Sequence, residues 1–224
     1  MAVIAELKRS SPSAGKINHN VPLDQAAISY DQHGAAAISV LTDMKYFGGE
    51  LNDLVGVRRN TALPLLRKDF IIDEYQITEA KAHGADAILL IAAVLDKAQL
   101  AELNSCARDH NLEALVELYE ERELEKLDFA TMKLIGINNR DLHTMSVNID
   151  HTFEIARLLP PGTTIVSESG IASPEDLANL YRHGIHAALV GEHLMKSPDP
   201  GDALAELLAP LVAEDLIRRG RATT

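Results

Sequence analysis

Short apolar runs alternate with longer amphipathic stretches along the whole chain, and the alternation repeats eight times. Runs near 3–7, 36–41, 64–68, 87–91, 113–118, 134–138, 164–167 and 187–190 have the length and composition of strands. The segments near 24–33, 51–59, 74–83, 96–111, 120–127, 149–159, 173–183 and 202–218 have helical spacing. Strands that alternate with helices form a parallel sheet with right-handed crossovers. Eight such units within 224 residues predict an α/β fold, the closed (β/α)8 TIM barrel, rather than an open sheet. No linker or low-complexity segment interrupts the series, so residues 1–224 are expected to form a single barrel domain. A chain of this length buries roughly 70% of its unfolded surface, enough for a substantial core.

An internal echo supports the parse. His33-Gly34-Ala35-Ala36-Ala37, His83-Gly84-Ala85-Asp86-Ala87 and His183-Gly184-Ile185-His186-Ala187 each follow a helical stretch and precede an apolar run. Glycine can take the left-handed conformation that ends a helix, and histidine suits the negative end of the helix dipole. These histidines are expected to cap helices rather than to catalyse.

In such a barrel the chemistry belongs at the C-terminal ends of the strands. Several ends carry groups that a packed core would not choose. The first strand ends Glu6-Leu7-Lys8, with alternation pointing Glu6 and Lys8 to one side. Lys68 ends the third, Glu117 sits inside the fifth, Asn138 ends the sixth and Glu168 the seventh. Taken singly, each charge could simply emerge into solvent. Taken together, two lysines and three glutamates converging on one barrel mouth would be a costly way to build a core, because desolvation often exceeds the Coulomb gain of a buried pair.

Ser169-Gly170 after the seventh strand and Gly191-Glu192 after the eighth occupy positions where barrels hold phosphate through backbone N–H groups. Ser11, in the loop after the first strand, could add a hydroxyl or be ordinary turn chemistry. The nine histidines and the single Cys106 show no metal-ligand spacing, and neither phosphate-loop nor dinucleotide fingerprints occur. No metal and no organic cofactor are therefore expected, and Cys106 reads as packing.

Charge and composition narrow the partners. The net charge of −12 argues against general affinity for nucleic acid or anionic membrane. One cysteine cannot make an internal disulfide and fits a reducing compartment. No apolar run approaches the roughly 20 residues of a membrane helix, and the N-terminus lacks signal-peptide architecture, so a cytoplasmic location is expected.

At the same strand ends the sequence resembles the indole-3-glycerol-phosphate synthases of tryptophan biosynthesis. The resemblance spans nearly the whole chain. It rests on Ile4-Ala5-Glu6-Leu7-Lys8-Arg9-Ser10-Ser11-Pro12-Ser13, on Ile38-Ser39-Val40-Leu41-Thr42 with Tyr46-Phe47-Gly48-Gly49, and on Leu66-Arg67-Lys68-Asp69-Phe70-Ile71. It continues through Ile135-Gly136-Ile137-Asn138-Asn139-Arg140-Asp141-Leu142, Ser167-Glu168-Ser169-Gly170-Ile171 and Leu189-Val190-Gly191-Glu192. The resemblance implies a carboxy-lyase that converts 1-(2-carboxyphenylamino)-1-deoxyribulose 5-phosphate to indole glycerol phosphate by ring closure, loss of CO2 and loss of water, without metal or cofactor.

It also implies roles. Lys68 would protonate the substrate's ketone oxygen. Either Lys8 or Lys68 would supply the acid for dehydration, with Glu117 or Glu6 as base, and Lys8 would hold the anthranilate carboxylate. Glu168 and Asn138 would orient the substrate, and Arg140 would support the glutamates or form a surface ion pair. Phe47 and Phe70 would line the aromatic pocket or serve as core. Ser11, Ser169, Gly170, Gly191 and the backbone of Glu192 would hold phosphate, with Leu142 and Leu189 carried over as substrate contacts. Relatives usually carry a capping segment before the first strand, whereas Met1 stands directly before it here, which predicts a barrel without that lid.

The expected partner is a small phosphorylated substrate, with self-association or contact with other tryptophan-pathway enzymes left open. Two other functions compete. A phosphoribosyl sugar isomerase on the same barrel would need an Asp/Cys or Asp/Asp pair, where the first strand offers Glu6 and Lys8. A non-catalytic or weakened sugar-phosphate-binding barrel could arise by loss of the cap, but all the proposed catalytic side chains are present.

Overall fold

The computed structural model describes residues 1–17, 21–141 and 143–221, with 212–221 as backbone alone. Eight strands, β1 (Ala2–Leu7), β2 (Ala37–Leu41), β3 (Leu65–Lys68), β4 (Ala87–Ile91), β5 (Glu113–Leu118), β6 (Leu134–Asn138), β7 (Thr164–Glu168) and β8 (Ala187–Val190), form a closed parallel barrel. β1 closes it by pairing with β2 on one side (Glu6 opposite Ser39) and β8 on the other (Ala5 opposite Val190). The predicted (β/α)8 fold is the observed one.

Because side chains alternate along a strand, each strand feeds two separate cores. Ile38, Ile88, Leu90, Val116, Ile135 and Ile137 face outward and pack under the helices. Leu66, Leu89, Ile91, Leu115, Val166 and Leu189 fill the barrel interior. The interior is therefore a packed apolar plug, and whatever lies above it at the C-terminal ends rests on a rigid floor.

The connecting helices are α1 (Leu23–Gln32), α2 (Met44–Phe47), α3 (Leu51–Arg58), α4 (Glu74–Ala82), α5 (Lys97–Asp109), α6 (Asp150–Ala156), α7 (Pro174–Arg182), α8 (Glu192–Lys196) and α9 (Pro200–Arg221). Asp73, Asp96 and Ser173 start α4, α5 and α7, each accepting a backbone N–H and each answered by a side chain three residues on. The predicted histidine caps are present. Nδ1 of His33, His83 and His183 meets the carbonyl of Ser29, Glu79 and Asn179 at 2.7, 2.7 and 2.9 Å. Gly34, Gly84 and Gly184 follow with φ of 91°, 90° and 78°. A fourth copy escaped the sequence pattern because Asn111, at φ 53°, replaces the glycine; His110 meets the Cys106 carbonyl at 2.9 Å.

Three elements depart from expectation. The helix expected near 120–127 is a 3-10 turn, Glu121–Lys126, because Glu-Arg-Glu-Leu-Glu-Lys offers no apolar face. Its charges serve the loops instead: Glu123 accepts the Tyr119 and Glu120 N–H groups, and Lys126 donates to the Ala92 and Leu95 carbonyls. The segment near 149–159 is helical only over Asp150–Ala156. The short α2, α8 and a two-residue hairpin, Ser10–Ser11 with Gly15–Lys16, lie in the loops after β2, β8 and β1, where periodicity has too few residues to register.

Candidate active site

The last inward-facing positions of the odd strands are Glu6 on β1, Lys68 on β3, Glu117 on β5 and Glu168 on β7. They form one layer directly above the apolar plug, as alternate strands do in barrels of this type. Lys68 Nζ lies 2.6 Å from Glu168 Oε2, 3.6 Å from Glu117 Oε2 and 3.8 Å from Glu6 Oε2. Lys8, two residues beyond Glu6, reaches back to its Oε1 at 2.7 Å. Two cations and three carboxylates thus share a buried floor.

Two glycines make room for this layer. A Cβ at Gly136 on β6 would overlap the Glu168 carboxylate, and one at Gly191 would overlap Glu6. Sequence reasoning missed Gly136, although a glycine in mid-strand is itself a signal of close approach. Gly191 has this packing role in addition to its place among the phosphate candidates.

The electrostatics follow from burial and mutual proximity. Burial alone would lower the Lys68 pKa, but Glu168, Glu117 and Glu6 reverse that and raise it well above the usual ammonium value. Burial pushes Glu6 up, yet Lys8 and Lys68 outweigh it and hold its carboxyl below the ordinary range. Glu168 goes the other way: burial pushes it up to about 8, with Lys68 opposing and the Glu117 charge adding to the rise. Among the described residues Glu168 Oε1 has no donor, and a protonated Glu168 can donate to Glu117. Near neutral pH, one proton on this pair brings two cations and three carboxyls close to charge balance.

Above the layer opens a cavity of about 770 Å3. Glu6, Lys8, Lys68, Glu117 and Asn138 line its base, while Glu168 is fully buried beneath. Ser11, Phe47, Phe70, Arg140, Ser169, Gly170, Leu189, Gly191 and Glu192 also line it. Leu142 lies outside the described residues. Phe70 is 40% exposed and stacks edge-on against Tyr46 at 6.1 Å, so it belongs to the rim rather than to a core. Asn138 Oδ1 accepts the Arg140 N–H at 3.0 Å. The Arg140 side chain donates to the Met145 carbonyl at 3.2 Å and pairs with Glu192 at 3.7 Å. Glu192 is paired more closely with Lys196, at 2.7 Å. Leu41, Ile91 and Val147 also line the cavity, and apolar lining cannot be told from core in a sequence; Tyr46 and Lys196 line it too and are not among the expected site residues.

The aromatic Tyr46, Phe47 and Phe70 follow the neighbouring strands β2 and β3, and the polar Ser169–Gly170 and Gly191–Glu192 follow the neighbouring strands β7 and β8. Ser169 and Gly170 have φ of 68° and 85°, a corner that turns the chain sharply as it leaves β7. A ligand with an aromatic ring at one end and an anion at the other matches this polarity.

Comparison with known proteins agrees. The family model described as indole-3-glycerol phosphate synthase matches residues 1–207. The chain belongs to the indole-3-glycerol phosphate synthase family. It is 49% identical over 212 residues to the indole-3-glycerol phosphate synthase of Salinibacter ruber, covering 93% of this chain and 78% of that one. It is 48% identical over 209 residues to the enzyme of the same name from Albidiferax ferrireducens, covering 93% and 79%. Among solved structures, KGPDC from Streptococcus mutans superposes with a TM-score of 0.67 over 97% of both chains at 14% identity. A chain of the Pyrococcus furiosus tryptophan synthase complex does so at 0.65 over 93% and 98%, with 17% identity. At that identity the two structures speak for the fold alone. Family membership rests on the synthase relatives.

Proposed function

We propose that the chain converts 1-(2-carboxyphenylamino)-1-deoxyribulose 5-phosphate to indole glycerol phosphate, CO2 and water, with the buried odd-strand layer as its catalytic floor. The observation that carries this assignment of roles is the Lys68 ammonium, surrounded by three carboxyl groups at the base of a cavity lined by aromatic residues after β2 and β3 and by polar residues after β7 and β8.

Ring closure joins the aromatic carbon bearing the carboxylate to the ketone carbon, and the ketone oxygen must gain a proton. Lys68 is the donor: it is protonated at rest, and it is positioned by strands rather than loops. Glu168, 2.6 Å away, can return a proton to the amine because burial favours its acid form. Loss of CO2 restores aromaticity. Lys8 holds the departing carboxylate, and its ammonium then serves the hydroxyl that leaves in the dehydration.

Dehydration also removes a proton from the neighbouring carbon. Glu117 is the base in this reading, because Glu6 is committed to Lys8 at 2.7 Å while Glu117 stands 3.6 Å from Lys68. Asn138, oriented by the Arg140 N–H, positions the substrate hydroxyls. Ser11, Ser169–Gly170 and the backbone at Gly191–Glu192 take the phosphate. Phe47 and Phe70 flank the aromatic ring. A purely binding role would not call for three carboxyl groups around one buried ammonium.

This reading places the protein in the cytoplasm; among the described residues no helix is long and apolar enough to cross a membrane. The test is direct. Protein mixed with substrate should generate indole fluorescence without added metal, and the absence of Trp from the chain keeps the background low. No product at any substrate concentration would overturn the assignment.

A further inference from the structure

A buried polar cluster on the outer side of β6 and β7 takes no part in the chemistry above. Asn138 faces the cavity, so alternation turns Asn139 the opposite way, into the layer between barrel and helices. The earlier outward residues of β6, Ile135 and Ile137, are apolar and fully buried; Asn139 is 2% exposed in the same layer. All of its polar groups are engaged. Its backbone N–H donates to the Glu168 carbonyl at 2.8 Å, and its carbonyl accepts the Asn148 N–H at 3.0 Å. Its Oδ1 accepts from the Thr152 N–H at 3.1 Å and the Thr152 hydroxyl at 2.8 Å. Its Nδ2 donates to Ser167 Oγ at 3.0 Å and to the Ser169 carbonyl at 3.1 Å. Ser167 Oγ and Thr152 Oγ1, 2.7 Å apart, complete a ring of hydrogen bonds with the amide.

An apolar side chain at 139 would leave the Thr152 N–H and the Ser169 carbonyl without these partners, so the amide ties the start of α6 and the chain after β7 to the barrel wall. Ser169 holds a left-handed φ of 68°, a conformation that side-chain-bearing residues rarely adopt, and Gly170 follows at 85°. We propose that Asn139 is a positioning residue that locks Ser169 in this conformation. It thereby keeps the Ser169–Gly170 corner shaped for the substrate's phosphate, while its main chain ties that corner to Glu168. The proposal rests on the phosphate assignment made above.

The test uses the 15N-labelled full chain, inorganic phosphate as probe, and steady-state kinetics. Asn139→Asp keeps the acceptor for Thr152 but removes both donors, to Ser167 and to Ser169. It is expected to weaken phosphate binding and raise KM about tenfold, the effect of losing the bond to the Ser169 carbonyl, with kcat within about threefold. Thr152→Val breaks the hydroxyl ring but leaves the Asn139–Ser169 bond, and should shift both quantities in the same direction by about threefold. If Asn139→Asp does not fold, Thr152→Val decides. Unchanged KM and phosphate affinity, or a fall in kcat as large as the rise in KM, overturns the positioning role. A Gly170 amide resonance that ignores phosphate in the unsubstituted protein overturns the phosphate assignment, and the proposal with it. A resonance that responds equally in the unsubstituted protein and in Asn139→Asp overturns the proposal alone.

Discussion

Gly136 on β6 and Glu168 on β7 compete for one volume: a Cβ on the glycine would occupy the space of the carboxylate. The carboxylate in turn fixes the Lys68 ammonium at 2.6 Å. A single methyl group placed at the barrel centre therefore reaches the proposed acid through one intermediary. Gly136→Ala is expected to cost about 1–3 kcal/mol of stability by overpacking, and to cut turnover about 100-fold by displacing Lys68. Urea unfolding and steady-state rates check the two effects. Full activity in the alanine variant would show that the Glu168 position is not critical.

Glu117 should act after the ring has closed. In Glu117→Gln, ring closure and decarboxylation are expected to continue while dehydration slows by about 10²–10⁴, the usual range for losing a general base. In a single turnover, CO2 release would then run ahead of indole fluorescence. If CO2 and indole formation slow together, Glu117 acts before decarboxylation and the division of roles given above fails.

The raised Glu168 pKa makes stability depend on pH. Burial pushes the native carboxyl up to about 8 from an ordinary 4.5, so between those values the native state holds a proton that the unfolded chain does not. Stability from this group therefore falls as pH rises from about 4.5 to about 8. Glu6 has the opposite sign: its lowered pKa contributes stability that is present above the ordinary value and lost as pH falls through the native one. Glu168→Gln removes the first effect, so its stability deficit relative to the unsubstituted protein should shrink between about pH 5 and pH 8. Parallel unfolding curves across that range would mean that Glu168 is not held in its acid form.

Much of this arrangement can be read from residues alone, and the boundary is instructive. Strand positions are legible because short continuous apolar runs between amphipathic stretches leave few alternatives, and Glu6, Lys68, Glu117 and Glu168 stand out as charges where a core is expected. That they meet around one ammonium was not legible. It depends on barrel closure, which sets the last inward positions of β1, β3, β5 and β7 at one height. Leu41 and Ile91 line the cavity from equivalent inward positions on β2 and β4, but an apolar side chain carries no mark that separates lining from core. Asn139 stayed hidden beside Asn138 for a related reason. Alternation assigns it to the opposite face, and only the positions of Thr152 and Ser169 show what it does there. The stretch 120–127 misled because helix-favouring Glu, Leu and Lys lack the apolar stripe that would dock a helix against the barrel.

The central claim is that Lys68 is the acid that closes the ring, distinct from the groups that bind phosphate. Lys68→Ala measured for both turnover and inorganic phosphate affinity tests it most directly. The account predicts a loss of turnover of about 10³-fold or more, with phosphate affinity changed by less than about threefold. Retained turnover, or equal loss of turnover and phosphate affinity, would contradict it.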